Sequence, residues 1–249
     1  MKKICFLLAV VFSFGTLRAQ DTIYATTIVN HNDLDLRYEN LVVMPTMGVY
    51  LADENRLESL SDRKASSFMF PEGMVVDDLV WVDTDFVVKS YNNLYWMRDL
   101  SKPLQSFDDA SFLVFPRDEK SIYIVLHHGD NSSLFFFNVN VKVMKRLVSV
   151  PGRIVSVAGN EKATMIVTEM AAWMFADGKC VPYMSFWPMA RSAVMTNKGL
   201  VCVTDDELLL MLAPYKYDIL EKGKFEKVLY DHRNIYVVTG DGDLLKIEW

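Results

Sequence analysis

Beyond residue 20 the chain is a succession of short apolar runs rich in Val, Ile, Leu, Tyr and Phe, broken by clusters of Asp, Asn, Gly and Ser. Apolar residues do not recur at the three-to-four-residue spacing of an amphipathic helix, so the pattern predicts strands of about five to eight residues and an all-β fold. One unit recurs: an apolar strand, a short polar turn and a second apolar strand. Phe86–Ser90 turns at Tyr91-Asn92-Asn93 into Leu94–Trp96, and Ile122–Leu126 turns through His127–Asn131 into Leu134–Phe136. Met165–Thr168 passes through Glu169-Met170 into Ala172–Met174, Leu200–Thr204 turns at Asp205-Asp206-Glu207 into Leu208–Leu210, and Ile235–Thr239 turns at Gly240–Asp243 into Leu244-Leu245. A weaker first copy is read as Leu41–Val43, Pro45-Thr46 and Val49–Leu51. Measured from Val49, Leu94, Leu134, Ala172, Leu208 and Leu244, the copies are 45, 40, 38, 36 and 36 residues apart.

Flanking strands complete most copies. Inner strands are expected at Leu79–Val82, Phe112–Phe115, Ile154–Val157, Ser192–Met195 and Glu226–Leu229, and outer strands at Leu104–Phe107, Met144–Val148, Val181–Phe186 and Tyr217–Leu220. A period near 40 with four strands per copy is the signature of propeller blades. The last copy ends at Trp249 without an outer strand, while Thr22–Val29 is a strand without a copy. Pairing these two ends would close the ring and cover an open edge. The reading is therefore a six-bladed β-propeller closed by its N-terminal strand over residues 21–249. A β-sandwich shares the short strands but predicts neither the repeat nor the unmatched ends. The chain resembles six-bladed propellers as a class, by pattern alone. With no Trp-Asp ending and no kelch glycine pair, it carries no named-family motif from which functional residues transfer.

The first twenty residues read differently. Lys2-Lys3, the 11-residue apolar run Ile4–Phe14 and the exit Leu17-Arg18-Ala19-Gln20 have the three zones of a cleavable signal peptide. The run is short of the roughly 20 residues that a spanning helix needs, and charges interrupt every later apolar stretch. The Lys-Lys start and Ala-Gln exit resemble Gram-negative, Bacteroidetes-like envelope proteins, which implies a periplasmic or secreted protein. A net charge of −6 argues against nucleic acid, whose binders carry a basic stripe. After removal of the leader, Cys180 and Cys202 remain. An oxidising compartment would permit their pairing, although Cys202 lies in an apolar run where a buried free thiol is ordinary.

In a propeller, the turn inside each central hairpin and the crossover to the next blade fall on one face. That face is expected to gather His128, Asp205 and Asp241 from the turns, Arg153, Arg191 and Trp187 from the crossovers, and the long stretch Ser61–Gly73. These six named residues are the candidate binding set, with Trp187 as an aromatic anchor. Asp, Asn and Gly are also simply turn formers. Asp241-Gly242-Asp243 lacks a full calcium-ligand loop, and adjacent His127 and His128 point to opposite faces of a continuing strand. No metal, cofactor or catalytic residue is assigned: nucleophile-elbow, zinc-protease and phosphate-loop motifs are absent. Trp81, Trp96, Phe115, Phe135 and Phe137 are expected to fill the space between blades. The sequence reads first as a non-catalytic module that holds a protein partner. The alternative is a propeller that binds or processes glycans on the same face.

Overall fold

The computed structural model describes residues 24–30, 41–44, 47–60, 67–82, 85–159, 163–186 and 189–248. The leader and the junction at residues 20 and 21 lie outside the described residues. Among the described residues every regular element is a strand, and these strands form six four-stranded antiparallel sheets. Blade 1 comprises β2 (Leu41–Met44), β3 (Gly48–Asp53), β4 (Arg56–Ser59) and β5 (Phe68–Met69). Blade 2 comprises β6 (Asp78–Val82), β7 (Asp85–Ser90), β8 (Asn93–Trp96) and β9 (Gln105–Ser106). Blade 3 is β10 (Leu113–Asp118), β11 (Ser121–His128), β12 (Asn131–Asn138) and β13 (Val143–Pro151), and blade 4 is β14 (Ile154–Gly159), β15 (Thr164–Thr168), β16 (Ala171–Ala176) and β17 (Lys179–Ser185). Blade 5 is β18 (Ala190–Met195), β19 (Leu200–Thr204), β20 (Glu207–Ala213) and β21 (Lys216–Lys222). Blade 6 takes β22 (Phe225–Tyr230), β23 (Ile235–Thr239) and β24 (Leu244–Glu248) from one end of the chain and β1 (Tyr24–Val29) from the other. The closing pair runs antiparallel from Tyr24 opposite Glu248 to Val29 opposite Leu244, so the expected closure is present.

Six apolar clusters each lie between two neighbouring blades. Tyr123, Val125 and Leu134 of blade 3 meet Ile154 and Ile166 of blade 4, and Val29, Tyr236 and Leu244 of blade 6 meet Leu41 and Val49 of blade 1. Inward alternation on both faces of every sheet thus welds a ring. The first buried apolar residue after each central hairpin turn marks the repeat: Leu57, Leu94, Leu134, Ala172, Leu208 and Leu244 are all at most 1% exposed.

This register corrects the reading of blade 1. Leu41–Val43 belongs to the innermost strand and Val49–Leu51 to the second, so the central hairpin is β3–β4. Counted from Leu57, the first interval is 37 residues rather than 45, in line with the others. β5 pairs with β4 as the outer strand of this blade, Arg56 opposite Met69 and Leu57 opposite Phe68. Of the stretch Ser61–Gly73, residues 61–66 lie outside the described residues, 68–69 form β5, and only 70–73 belong to the crossover. The aromatics also divide. Phe137 is fully buried, and Trp96, Phe115 and Phe135 pack half-buried against interblade clusters, but Trp81 is 38% exposed and stands edge-on to Phe86. Cys180 and Cys202 are free thiols. Cys180 packs toward blade 3 and Cys202 into the blade 4–5 cluster, so the sheet of blade 4 separates them.

Candidate functional site

The face carrying the central-hairpin turns and the crossovers, here called the upper face, holds a concavity of about 430 Å³ at one end of the central channel. Arg153, Arg191 and Asp205 line it together with Glu169, Glu226, Leu113, Ile154 and Met189. Bulges explain this convergence. In blades 4, 5 and 6 the register of the inner strand slips near its start, between Ile154 and Ser156, between Ala190 and Ser192, and between Phe225 and Lys227. The skipped residues are Val155, Arg191 and Glu226. A bulge leaves one residue out of the ladder and re-aims its side chain, and here all three line the concavity.

The same three blades close their central turns with a threonine. The Thr168 hydroxyl donates to the Ala171 carbonyl at 3.0 Å and accepts from the Ala171 amide at 3.1 Å. Thr204 repeats this with Glu207 at 3.2 Å in both directions, and Thr239 accepts from the Asp243 amide at 3.0 Å. Because the hydroxyl satisfies the turn, the acid that comes next in blades 4 and 5, Glu169 and Asp205, is left to face the mouth.

Arg191 joins blades at the mouth: its Nε donates to Asp205 Oδ1 and its Nη1 to Glu226 Oε2, each at 2.6 Å. These two carboxylates raise the guanidinium's affinity for its proton further. Arg153 differs: its side chain is exposed and, among the described residues, has no hydrogen bond or ion pair, while its backbone is clamped. Gly152 N donates to the Asp130 carbonyl and Glu169 N to the Arg153 carbonyl. The Ser132 hydroxyl donates to the Gly152 carbonyl at 2.7 Å and accepts from Ile154 N at 3.1 Å. Gly152 has φ +86°, with Thr168 Cβ 3.4 Å from where a Cβ would stand, so the turn that presents Arg153 requires glycine. With the Ser132 proton committed to Gly152, His127 Nδ1, 2.9 Å away, must be the donor. The buried Nε2 then holds a lone pair without a partner. Burial lowers the His127 pKa, with the Arg153 and His128 charges adding to the effect and Asp109 opposing it.

The remaining candidates lie away from this concavity. His128 and Asp241 are exposed on turns of the upper face but outside the pocket, and Trp187 lies outside the described residues. Groups of three or more metal-ligating side chains are absent among the described residues. Sequence reasoning missed Glu169, Glu226 and Met189. The signal was there: Ile154/Val157, Ala190/Ala193 and Phe225/Val228 place apolar residues three apart, where an unbroken strand requires an even spacing.

No protein-family model matches the chain, and neither does any curated protein sequence. The fold is that of a six-bladed β-propeller, and solved structures share it at low identity. The extracellular domain of BT4673 from B. thetaiotaomicron superposes with a TM-score of 0.59 at 15% identity over 84% of this chain and 32% of that one. A chain of the nidogen/laminin complex gives 0.57 at 10% identity over 73% and 78%. TolB from Acinetobacter baumannii gives 0.55 at 10% identity over 83% and 62%. The chain thus spans about a third of the length of the BT4673 domain.

Proposed function

We propose that the protein is a non-catalytic, periplasmic or secreted interaction module that holds a protein partner at the upper mouth of its channel. The observation that carries this reading is the run of three bulges, which turns Val155, Arg191 and Glu226 out of three consecutive ladders toward one concavity. The signal-peptide pattern supports the location, as does likeness of fold to an extracellular domain. Arg191 is spent on Asp205 and Glu226, so Glu169 and Arg153 are the charges left for a partner, and Met189, 47% exposed, offers an apolar contact. The surface suits a partner segment that pairs one basic and one acidic residue around an apolar side chain.

Affinity capture from native envelope extract, with mild cross-linking and mass spectrometry, tests this directly. The wild-type chain should retain a stoichiometric protein, and Arg153→Ala/Glu169→Ala/Met189→Ala should weaken it at least tenfold. Glu119→Ala, on the opposite face, should not. Equal retention by the triple variant, or no stoichiometric protein at all, refutes the assignment.

A further inference from the structure

The shaft of the channel below the upper mouth is a second cavity, of about 720 Å³, within the range of small-molecule sites. The strand registers define one level of the ring, at which Asp78, Ser156, Ser192 and Lys227 line the shaft and Leu113 lines the upper concavity. Asp78, Leu113, Ser156, Ser192 and Lys227 each lie opposite the second-strand residue that pairs with the repeat-marking residue of that blade. The five are therefore equivalent positions on blades 2 to 6. A propeller level built only for packing would be apolar all round. Here it carries a carboxylate on blade 2 and an ammonium on blade 6, on either side of blade 1, with the Ser156 hydroxyl across the ring.

The carboxylate and the hydroxyl are not consumed by the fold. Asp78 lies deep and largely covered, with its remaining exposure toward the shaft it lines, and its carboxylate's one hydrogen bond comes from the adjoining Leu79 amide at 2.8 Å. Loss of water raises its pKa, against the lowering influence of Lys227. Lys227 Nζ reaches the Leu41 carbonyl at 3.2 Å, which holds the ammonium at this level. The Ser156 hydroxyl has no partner among the described residues. Below them the wall is apolar, with Val42, Val114, Val157 and Val194, and the lower end is flanked by Trp81 and Tyr230. Arg117 and Asp118, also at the lower end, pair with each other at 2.8 Å.

We infer that the shaft binds a small zwitterion with an apolar body, such as an apolar amino acid or a dipeptide. Its ammonium pairs with Asp78, its carboxylate with Lys227, and its apolar part lies along the valine wall. A group of one sign alone would meet attraction from one of these residues and repulsion from the other, whereas a zwitterion satisfies both. This site is independent of the partner surface above it.

Isothermal titration of the mature protein with L-phenylalanine and with L-leucyl-L-leucine tests the inference, with phenethylamine and 3-phenylpropionate as single-charge controls. At least one zwitterion should bind, and both controls at least tenfold more weakly. Asp78→Asn and Lys227→Met, each checked for an intact melting transition, should lose at least tenfold, and Arg153→Ala nothing. No heat with either zwitterion, a control binding as tightly, or an unchanged Asp78→Asn would each overturn it.

Discussion

Blade 2 and blade 5 are built from the same four strands, yet only blade 5 contributes to the upper mouth. In blade 5 Thr204 closes the hairpin through its own hydroxyl, and the bulge at Arg191 turns a cation toward the axis. In blade 2 the inner strand pairs without a slip from Asp78 opposite Lys89 to Val82 opposite Asp85. An acid does the work of the threonine: Asp77 Oδ2 accepts from Tyr91 N at 2.6 Å and from Lys89 Nζ at 3.4 Å. The comparison teaches where function has room on a repeat scaffold. Where a neutral hydroxyl satisfies the turn, the neighbouring acid is released to the mouth; where Asp77 satisfies it, that carboxylate is spent on the turn itself.

The largest effect should be the one that does not distinguish the two blades. Leu94 and Leu208 occupy the same register position and both are fully buried. Leu94→Ala and Leu208→Ala should each cost about 2–5 kcal/mol in denaturant unfolding, the range for cavities in close-packed cores. A cost below about 1 kcal/mol in either would mean that the blades are not equivalent beneath their turns.

The next effect should separate them. Thr204→Ala removes a hydroxyl that makes two hydrogen bonds and should cost about 1 kcal/mol. Ser90→Ala, at the matching position of blade 2, should cost almost nothing, because the Asp77 carboxylate holds that turn. Thr204→Ala should also weaken the partner captured at the upper mouth, since Asp205 and its bond to Arg191 lose their footing. Equal costs at the two positions would sink the account of the turns.

The ring was legible in the sequence because strand spacing repeats over six copies and an unmatched strand at each end points to closure. The slip in blade 1 shows the limit of that reading. Leu41–Val43 and Val49–Leu51 have the composition of a central hairpin, and only the 45-residue interval hinted that the register was one strand off. Arg153 and Asp205 could be placed on the upper face because turn and crossover positions follow from topology, whereas Arg191, read as a crossover residue, sits inside β18 at its bulge. Glu226 was hidden inside a predicted strand, where alternation assigns a side chain to a face and a bulge undoes that assignment. Asp78 and Lys227 were harder still: they are 149 residues apart in sequence and share a level only once the ring is closed.

The smallest effect concerns the crossover that presents Arg153. His127 is held neutral by burial and by the charges of Arg153 and His128, so its pKa in the folded chain lies below the ordinary value near 6.5. The unfolded chain then takes up this proton first as pH falls. Stability should be fully present above about pH 7 and decline as pH drops through 6.5 toward the folded pKa. His127→Asn keeps a donor for Ser132 but cannot titrate, so its unfolding free energy between pH 7 and 5 should fall less than that of the wild type. The difference should be a fraction of the ~1.4 kcal/mol that one pKa unit represents, because the ring is only half buried and water screens it. Arg153→Ala should reproduce part of this flattening, as Arg153 is the largest charge contribution to the shift. An identical pH slope in wild type and His127→Asn would show that the ring titrates as freely folded as unfolded. The upper mouth would then have no coupling to pH through this crossover, and Arg153 would owe its position to Ser132 and Gly152 alone.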